Sequence, residues 1–267
     1  MQTLFKQCPK CGQQRTSDET ATPEKCPACG IYFAKWVERE KFVPPSLLKE
    51  VASDDEDEHD APRWRDHFIN RILYVPKEIS DVQIWGRAAT LIFLLVWGIR
   101  MSAMDYRNGE MATSFMHNIL LPIHEAGHIL FIPFGEFMTI LGGSLFQILF
   151  PLIIAGALLW TNRDACGTAI GCWWASVSLI DLAPYIYDAK QPQLILLGGN
   201  TGEDGPHDWI YLLGEFNKVD RSQAYGAWAH HLGVVLMLLS LVAAAWALRR
   251  WHKALSETSI GSDTIRS

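Results

Sequence analysis

Charged residues are scarce over most of this chain, and their scarcity limits what the protein can be. Residues 1–80 hold 12 Lys/Arg and 14 Asp/Glu, whereas the sequence after residue 80 consists mainly of long apolar runs. Such runs exclude a single water-soluble core. The chain also lacks a basic patch, and its formal net charge of −6 argues against a nucleic-acid partner. Residues 1–30 are polar and lack the apolar stretch of a signal peptide, so we expect that nothing exports this segment.

Cysteine is sparse as well, and four of the six cysteines form two close pairs near the N-terminus. They are Cys8, Cys11, Cys26 and Cys29, in C-P-K-C and C-P-A-C motifs separated by 14 residues. This spacing is typical of a structural zinc site, whose four thiolates leave no open position for chemistry. Two disulfides are the alternative, but disulfides belong to oxidising compartments. We therefore expect a zinc ribbon that docks a protein partner. Cys166 and Cys172 lie in an apolar segment and should pack as small hydrophobes.

Five apolar runs are long enough to cross a hydrocarbon core, which takes about 20 residues in a helix. They are 82–99, 111–135, 137–162, 165–187 and 224–248. Tryptophans lie near the ends of several runs, as in an interfacial aromatic belt. The predicted fold class is a mainly α, polytopic helical membrane protein with a small N-terminal four-cysteine zinc ribbon.

Charge and proline content divide the chain into five segments. Residues 53–60 are almost all acidic, and like charges at that density stay solvated. Residues 63–74 alternate basic and aromatic residues at helical spacing, as in a helix lying on lipid headgroups. The predicted order is a zinc ribbon at 1–36, an acidic linker at 37–62, an amphipathic juxtamembrane segment at 63–80, a membrane domain at 81–250 and a polar tail at 251–267.

Basic residues predict the orientation of the chain in the membrane. Those within 63–77 and the reduced ribbon favour a cytoplasmic N-terminus. Five full spans would then put the basic residues of 249–253 outside, against the positive-inside tendency. Either that tail is an exception, or one run re-enters without crossing. We expect the 137–162 run to re-enter, because Gly142-Gly143 and Pro151 would break a helix.

The 111–135 run contains an H-E-x-x-H motif, and Glu125 is its only formal charge. A carboxylate and two imidazoles at membrane depth are costly unless they face protein, water or metal. Positions i and i+4 of a helix share a face, so His124 and His128 can present two nitrogens to one ion. We therefore predict a catalytic zinc held by these histidines, with Glu125 as the general base. His117 is expected at the membrane interface rather than as a further ligand.

Catalytic zinc usually has three protein ligands, so a third ligand must come from another segment. Asp181 and Asp188 lie two helical turns apart in the fourth run, and both are candidates if the helix continues through Pro184. Asp181 has the alternative role of a hydrogen-bonding group between helices.

The polar stretch 189–222 and the last run hold further titratable residues. Asp208 either caps a short amphipathic helix over 209–216, or His207 or Asp208 lies over the zinc as a ligand or gate. We expect the cap. His230 and His231 are expected at headgroup level near the start of the last run.

Residues 111–190 resemble the site-2 protease family of intramembrane zinc metalloproteases. In that family a later helix carries N-x-x-P and then an Asp-Gly aspartate, which is the third zinc ligand. Asp181-Leu-Ala-Pro184 is similar to the first motif and Asp188-Ala189 to the second, with Asp in place of Asn, Ala in place of Gly and a spacing one residue shorter. The resemblance implies Asp188 as the third ligand, with Asp181 as the alternative. It also implies a sheet-like re-entrant segment at 137–147 that holds unwound substrate.

Two functions of different class follow from these residues. The resemblance implies a zinc metalloendopeptidase that cleaves membrane-anchored proteins, in a bacterial inner membrane with a cytoplasmic N-terminus. The alternative is a non-catalytic membrane adaptor, whose ribbon recruits a protein partner and whose inner metal site is structural or degenerate. A zinc hydrolase acting on a lipid or another small amphiphile is a third, weaker option.

Overall fold

The computed structural model describes residues 7–8, 10–14, 25–26, 28–32, 64–76 and 79–264, with side chains to residue 257. The chain divides into two compact units, Met1–Ala61 and Pro62–Ser267. In the first unit, isolated β-bridges join Gln7 to Gln14 and Lys25 to Tyr32. Each bridge closes a turn around one cysteine pair. The predicted acidic linker lies outside the described residues.

The second unit is built from helices. Among its described residues, seven α-helices follow one another: α1 Trp64–Ile72, α2 Asp81–Ser102, α3 Phe115–Phe131, α4 Glu136–Ala157, α5 Ala165–Asp188, α6 Asp208–Glu215 and α7 Ser222–Thr264. Hydroxyl and carboxylate caps start three of them, because Ser80, Ser114 and Asp164 each accept a hydrogen bond from a free backbone N–H of the first turn. The prediction of a mainly α chain is confirmed. The predicted juxtamembrane helix is α1, which has no buried residue.

Four helical segments of the described chain are long and apolar enough to cross a membrane, rather than the five predicted. They are Asp81–Ser102, Glu136–Asn162, Ala165–Asp188 and Val219–Glu257. The missing one is the run that contains the H-E-x-x-H motif. Its helix α3 has 17 residues and is about 25 Å long, shorter than a hydrocarbon core of about 30 Å. Gly135, with φ of 91°, turns the chain directly into α4.

The expected break in the 137–162 run is absent. α4 continues through Gly142, Gly143 and Pro151 and ends in a π-helical turn at Leu158–Asn162. The predictions of a re-entrant run and of a sheet-like segment at 137–147 are therefore wrong. The reason is tertiary packing, because the backbones of α3 and α4 cross in contact at Gly127 and Gly142. A Cβ on Gly127 would collide with the carbonyl oxygen of Gly142.

One end of the helix bundle is rich in arginine. Arg87, near the start of α2, forms two hydrogen bonds of 3.0 and 2.8 Å with Asp164, which precedes α5. Arg250 of α7 donates to the carbonyl of Leu73, just after α1, at 2.9 Å. The chain therefore enters its first long helix and leaves its last one at the same end of the bundle. The 190–206 loop, which follows α5, lies at the opposite end.

α5 is the most enclosed of the long helices. It runs antiparallel to α7, since Gly226 packs near Ala183 and Gly233 packs near Ser176. Cys166 is fully buried among Ile84 and the alanines of α7, as expected for a small hydrophobe. This packing keeps the polar second half of α5 inside the protein, next to α3 and α4.

Candidate metal centre

His124 and His128 share one face of α3, and each has one ring nitrogen tied to α4. His124 Nδ1 lies 2.9 Å from Gln147 Oε1, and His128 Nδ1 lies 2.9 Å from the carbonyl oxygen of Thr139. An oxygen acceptor at that distance places the ring hydrogen on Nδ1, which leaves the Nε2 lone pair free. This is the orientation that a metal-binding imidazole requires.

The two Nε2 atoms converge on a carboxylate. Asp208 Oδ2 lies 3.0 Å from His124 Nε2 and 3.3 Å from His128 Nε2. Burial raises the pKa of Asp208, but hydrogen bonds and charge from the two imidazoles in their protonated form outweigh it and lower the pKa to about 2. With neutral imidazoles that carry their hydrogens on Nδ1, three electron-pair donors face one another, and such a group is stable only with positive charge among them. Tetrahedral zinc, about 2.0–2.1 Å from each donor, is compatible with this spacing.

Gly143 leaves room for the two imidazole rings at this point. A Cβ added to Gly143 would lie 2.5 Å from the Nε2 atoms of both histidines and 2.6 Å from His128 Cε1. The absence of a side chain there lets both rings pack against α4 with their Nε2 atoms facing Asp208. The residues present therefore fit a metal ion.

Asp208 joins this group in place of the two predicted ligands. Asp181 accepts hydrogen bonds from His117 Nδ1, at 3.1 Å, and from Gln147 Nε2, at 3.0 Å. Asp188 accepts from the backbone of the loop that follows α5. The prediction of Asp188 as the third ligand, with Asp181 as the alternative, does not agree with this geometry, because the side chains of both residues form hydrogen bonds elsewhere.

The N-cap of α6 is His207 rather than Asp208, so the expected cap is wrong. His207 Nδ1 accepts from the backbone N–H of Ile210 at 3.3 Å. The Asp208 side chain is thereby free to turn toward α3. Its own backbone N–H donates to the Tyr185 hydroxyl at 2.9 Å. The geometry fits the other hypothesis for this segment, in which Asp208 lies over the histidines.

Glu125 is half-buried and lines a cavity of about 620 Å³ together with the metal-centre residues. The floor comes from α3, α4 and α5, and the cover is the 190–206 loop, whose residues 194–198 border the space. The cavity brings apolar walls and a carboxylate next to the three converging ligand atoms. That combination can admit an apolar ligand next to the three ligand atoms.

Two histidine expectations need correction. His117 is bonded to Asp181 and borders the cavity, so it belongs to the interior network rather than to the interface. His230 is buried, with its ring 4.6 Å from that of Tyr106, instead of lying among headgroups. Neither residue is among the three that could share an ion.

Sequence reasoning missed Gln147, which holds both His124 and Asp181. One signal was available, because Gln147 lies alone with a few hydroxyls in a charge-free apolar run. An amide at such a position must find a partner inside the protein. Tyr185 and the carbonyl of Thr139 carried no comparable signal.

The four N-terminal cysteines also lie together. Cys8 Sγ is 3.6 Å from Cys29 Sγ, Cys11 Sγ is 3.9 Å from Cys26 Sγ, and all four sulfurs lie within 4.8 Å of one another. All four are free thiols in the structure. Sulfurs around one tetrahedral zinc are roughly 3.8 Å apart, given a Zn–S bond of about 2.3 Å. This cluster could hold a metal ion.

Comparison with known proteins finds no relative: no family model, no curated protein and no solved structure matches this chain. The family resemblance therefore rests on the motif residues alone.

Proposed function

We propose that this protein is a zinc-dependent endopeptidase that cleaves membrane-anchored proteins within or near the bilayer. One observation carries the proposal: His124, His128 and Asp208 point their ligand atoms at one another beside Glu125, in a cavity next to helices of membrane length. A structural site made from these residues would not need a cavity or an adjacent free carboxylate.

Each group at the site has a distinct role in the proposed reaction. Zinc, when bound, supplies Lewis-acid activation of the scissile carbonyl and of the attacking water. Glu125 accepts the proton of that water and delivers it to the amine nitrogen as the C–N bond breaks. Gln147 and the Thr139 carbonyl hold the imidazoles, and Asp208 supplies the negative charge that balances the ion.

Zinc content tests the metal sites. We expect about two zinc ions per purified full-length chain, one at the cysteines and one at the inner site. The pair His124→Ala/His128→Ala should lower this to about one and abolish cleavage of a single-span reporter protein, because two of three inner ligands are gone. The matched pair Cys8→Ser/Cys11→Ser should also lower the content to about one, but from the other site, and should leave reporter cleavage intact in detergent.

Removal of the inner ion with a chelator should stop cleavage, and added zinc should restore it. An intact chain that holds a single zinc, insensitive to the histidine substitutions, would favour the adaptor function instead. Turnover of a lipid rather than of the reporter would favour the hydrolase of small amphiphiles.

We further infer that the arginine-rich end of the bundle faces the cytoplasm, with the N-terminus. It carries seven basic residues in the described chain: Arg65, Arg71, Arg87, Arg163, Arg249, Arg250 and Lys253. Four spans bring the basic tail to the same side as the segment before α2, in agreement with the positive-inside tendency. The metal cavity, bordered by the loop at the opposite end, then opens toward the other side of the membrane.

Reporter fusions check this orientation. A fluorescent protein that folds only in the cytoplasm, fused after residue 267, should fluoresce, and alkaline phosphatase at the same point should be inactive. Phosphatase inserted at Glu203, in the exposed part of the loop, should be active. Active phosphatase at the C-terminus would contradict the proposed orientation without affecting the metal site.

A further inference from the structure

One carboxylate, that of Asp188, lies next to both ends of the 190–206 loop. Asp188 Oδ1 accepts hydrogen bonds from the backbone N–H groups of Gln193, at 2.8 Å, and Leu194, at 3.2 Å. These bonds hold the first part of the loop, whose next residues border the metal cavity. Asp188 is buried, so water does not compete strongly for these contacts.

The second oxygen of Asp188 faces the other end of the loop. Asp188 Oδ2 lies 3.5 Å from His207 Nε2, and the His207 side chain is fully buried. Within the described chain, both atoms are buried and neither has a hydrogen-bond partner, although each lies within 3.5 Å of the other. Buried polar atoms without a partner are unfavourable, so a small movement that joins the two side chains would stabilise the closed loop.

The ring nitrogen of His207 that lies nearest that oxygen is the one that carries the hydrogen. His207 Nδ1 accepts from Ile210 N–H, which places the ring hydrogen of a neutral imidazole on Nε2. The ring also stacks on Tyr185, with centroids 4.3 Å apart, and the Tyr185 hydroxyl accepts from Asp208 N–H. A continuous set of contacts therefore runs from Asp188 through His207 and Tyr185 to the backbone of Asp208.

We propose that Asp188 and His207 form a buried latch, which closes the 190–206 loop over the cavity and positions Asp208 at the metal. Asp188 is then a positioning residue and not a metal ligand. This inference rests on the proposed metal site, because the latch acts through Asp208. Opening the latch would release the cavity cover and the third ligand together, since both belong to one stretch of chain.

Substitutions that break only one contact test the latch. Asp188→Asn keeps an oxygen for the two backbone N–H groups but places an amide opposite His207 Nε2. His207→Asn keeps an oxygen for the cap of α6 but removes the ring that reaches Asp188. Each should weaken zinc binding at the inner site about 10–100-fold without preventing occupancy at saturating zinc. Affinity is measured on the full chain by competition between zinc and a fluorescent chelator.

Three further variants complete the experiment. The double variant Asp188→Asn/His207→Asn should bind zinc no more weakly than either single variant, because each single substitution already removes the contact between the two side chains. Limited proteolysis should cut the glycine-rich part of the loop, 198–205, faster in Asp188→Asn, in His207→Asn and in the double variant than in the unaltered chain. Asp208→Ala should lose the inner zinc outright, and Asp204→Asn, on the exposed part of the same loop, should change neither zinc affinity nor proteolysis.

The outcomes separate the latch from the proposed function. Complete loss of inner zinc in Asp188→Asn together with full retention in Asp208→Ala would make Asp188 the ligand and overturn the latch. Unchanged affinity and proteolysis in Asp188→Asn and His207→Asn would also overturn it, while leaving the metal site intact. Absence of inner zinc from the unaltered chain would instead refute the proposed function.

Discussion

Substituting Glu125 by Gln is expected to remove cleavage while leaving both zinc sites filled. The amide has nearly the same shape as the carboxylate but cannot accept the proton of the attacking water. General acid–base catalysis contributes about 10²–10⁴-fold to rate, and we expect a loss in that range or beyond it. The measurement is turnover of a single-span reporter by purified protein, with zinc determined on the same sample.

A matched control distinguishes this effect from a general loss of acidic charge. Glu136→Gln removes a carboxylate from the exposed first turn of α4, which does not border the cavity, and should leave turnover unchanged. Undiminished cleavage by Glu125→Gln would eliminate the proposed mechanism. Loss of zinc together with activity would instead show that Glu125 supports the metal site.

Gly143→Ala should also abolish reporter cleavage, but by removing the inner zinc rather than the general base. The added methyl carbon would lie 2.5 Å from both Nε2 atoms and 2.6 Å from His128 Cε1, so the two rings would have to leave the positions in which they converge on Asp208. We expect the inner zinc to be lost, the cysteine-bound zinc to remain and reporter cleavage to disappear. Alanine favours a helix over glycine by about 1 kcal/mol, so the helix itself has no reason to unfold.

Gly156→Ala is the natural control, because it lies in the same helix and a Cβ there meets nothing within 4 Å. It should retain two zinc ions and full turnover, with equal or slightly higher resistance to thermal unfolding. A Gly143→Ala protein that keeps both ions and still cleaves the reporter would show that the inner site does not depend on the present positions of the two imidazoles. Thermal unfolding of both variants excludes misfolding as the cause.

The local features of the site could be predicted from sequence because they depend on helix geometry alone. His124 and His128 are four residues apart, and any helix places them on one face. Two cysteine pairs predict one cluster for a similar reason, since each pair is held by its own short turn. Asp208 was one of the residues proposed as a ligand or gate, but it could not be preferred over Asp181 and Asp188, because it is 84 residues from His124 and no periodicity connects two distant helices.

The low helix propensity of glycine led to a wrong prediction at Gly142 and Gly143. Gly142 and Gly143 weaken an isolated helix, which favoured a break, but in the folded chain they allow close contact of α3 with α4 and leave space beside the histidines. The gain from packing exceeds a local cost of about 1 kcal/mol per glycine. The family resemblance favoured Asp188 as a ligand, whereas in the structure its carboxylate accepts hydrogen bonds from the backbone of the loop after α5.

The amino-acid sequence by itself determined that this chain has helices of membrane length and which side chains of α3 share a face, because composition and short-range spacing act within a single element. Only the tertiary structure decided which run stays short of a full span, which carboxylate meets the imidazoles and where the chain leaves the bundle. Those outcomes depend on contacts between segments tens of residues apart, where burial and hydrogen bonding outweigh local preference.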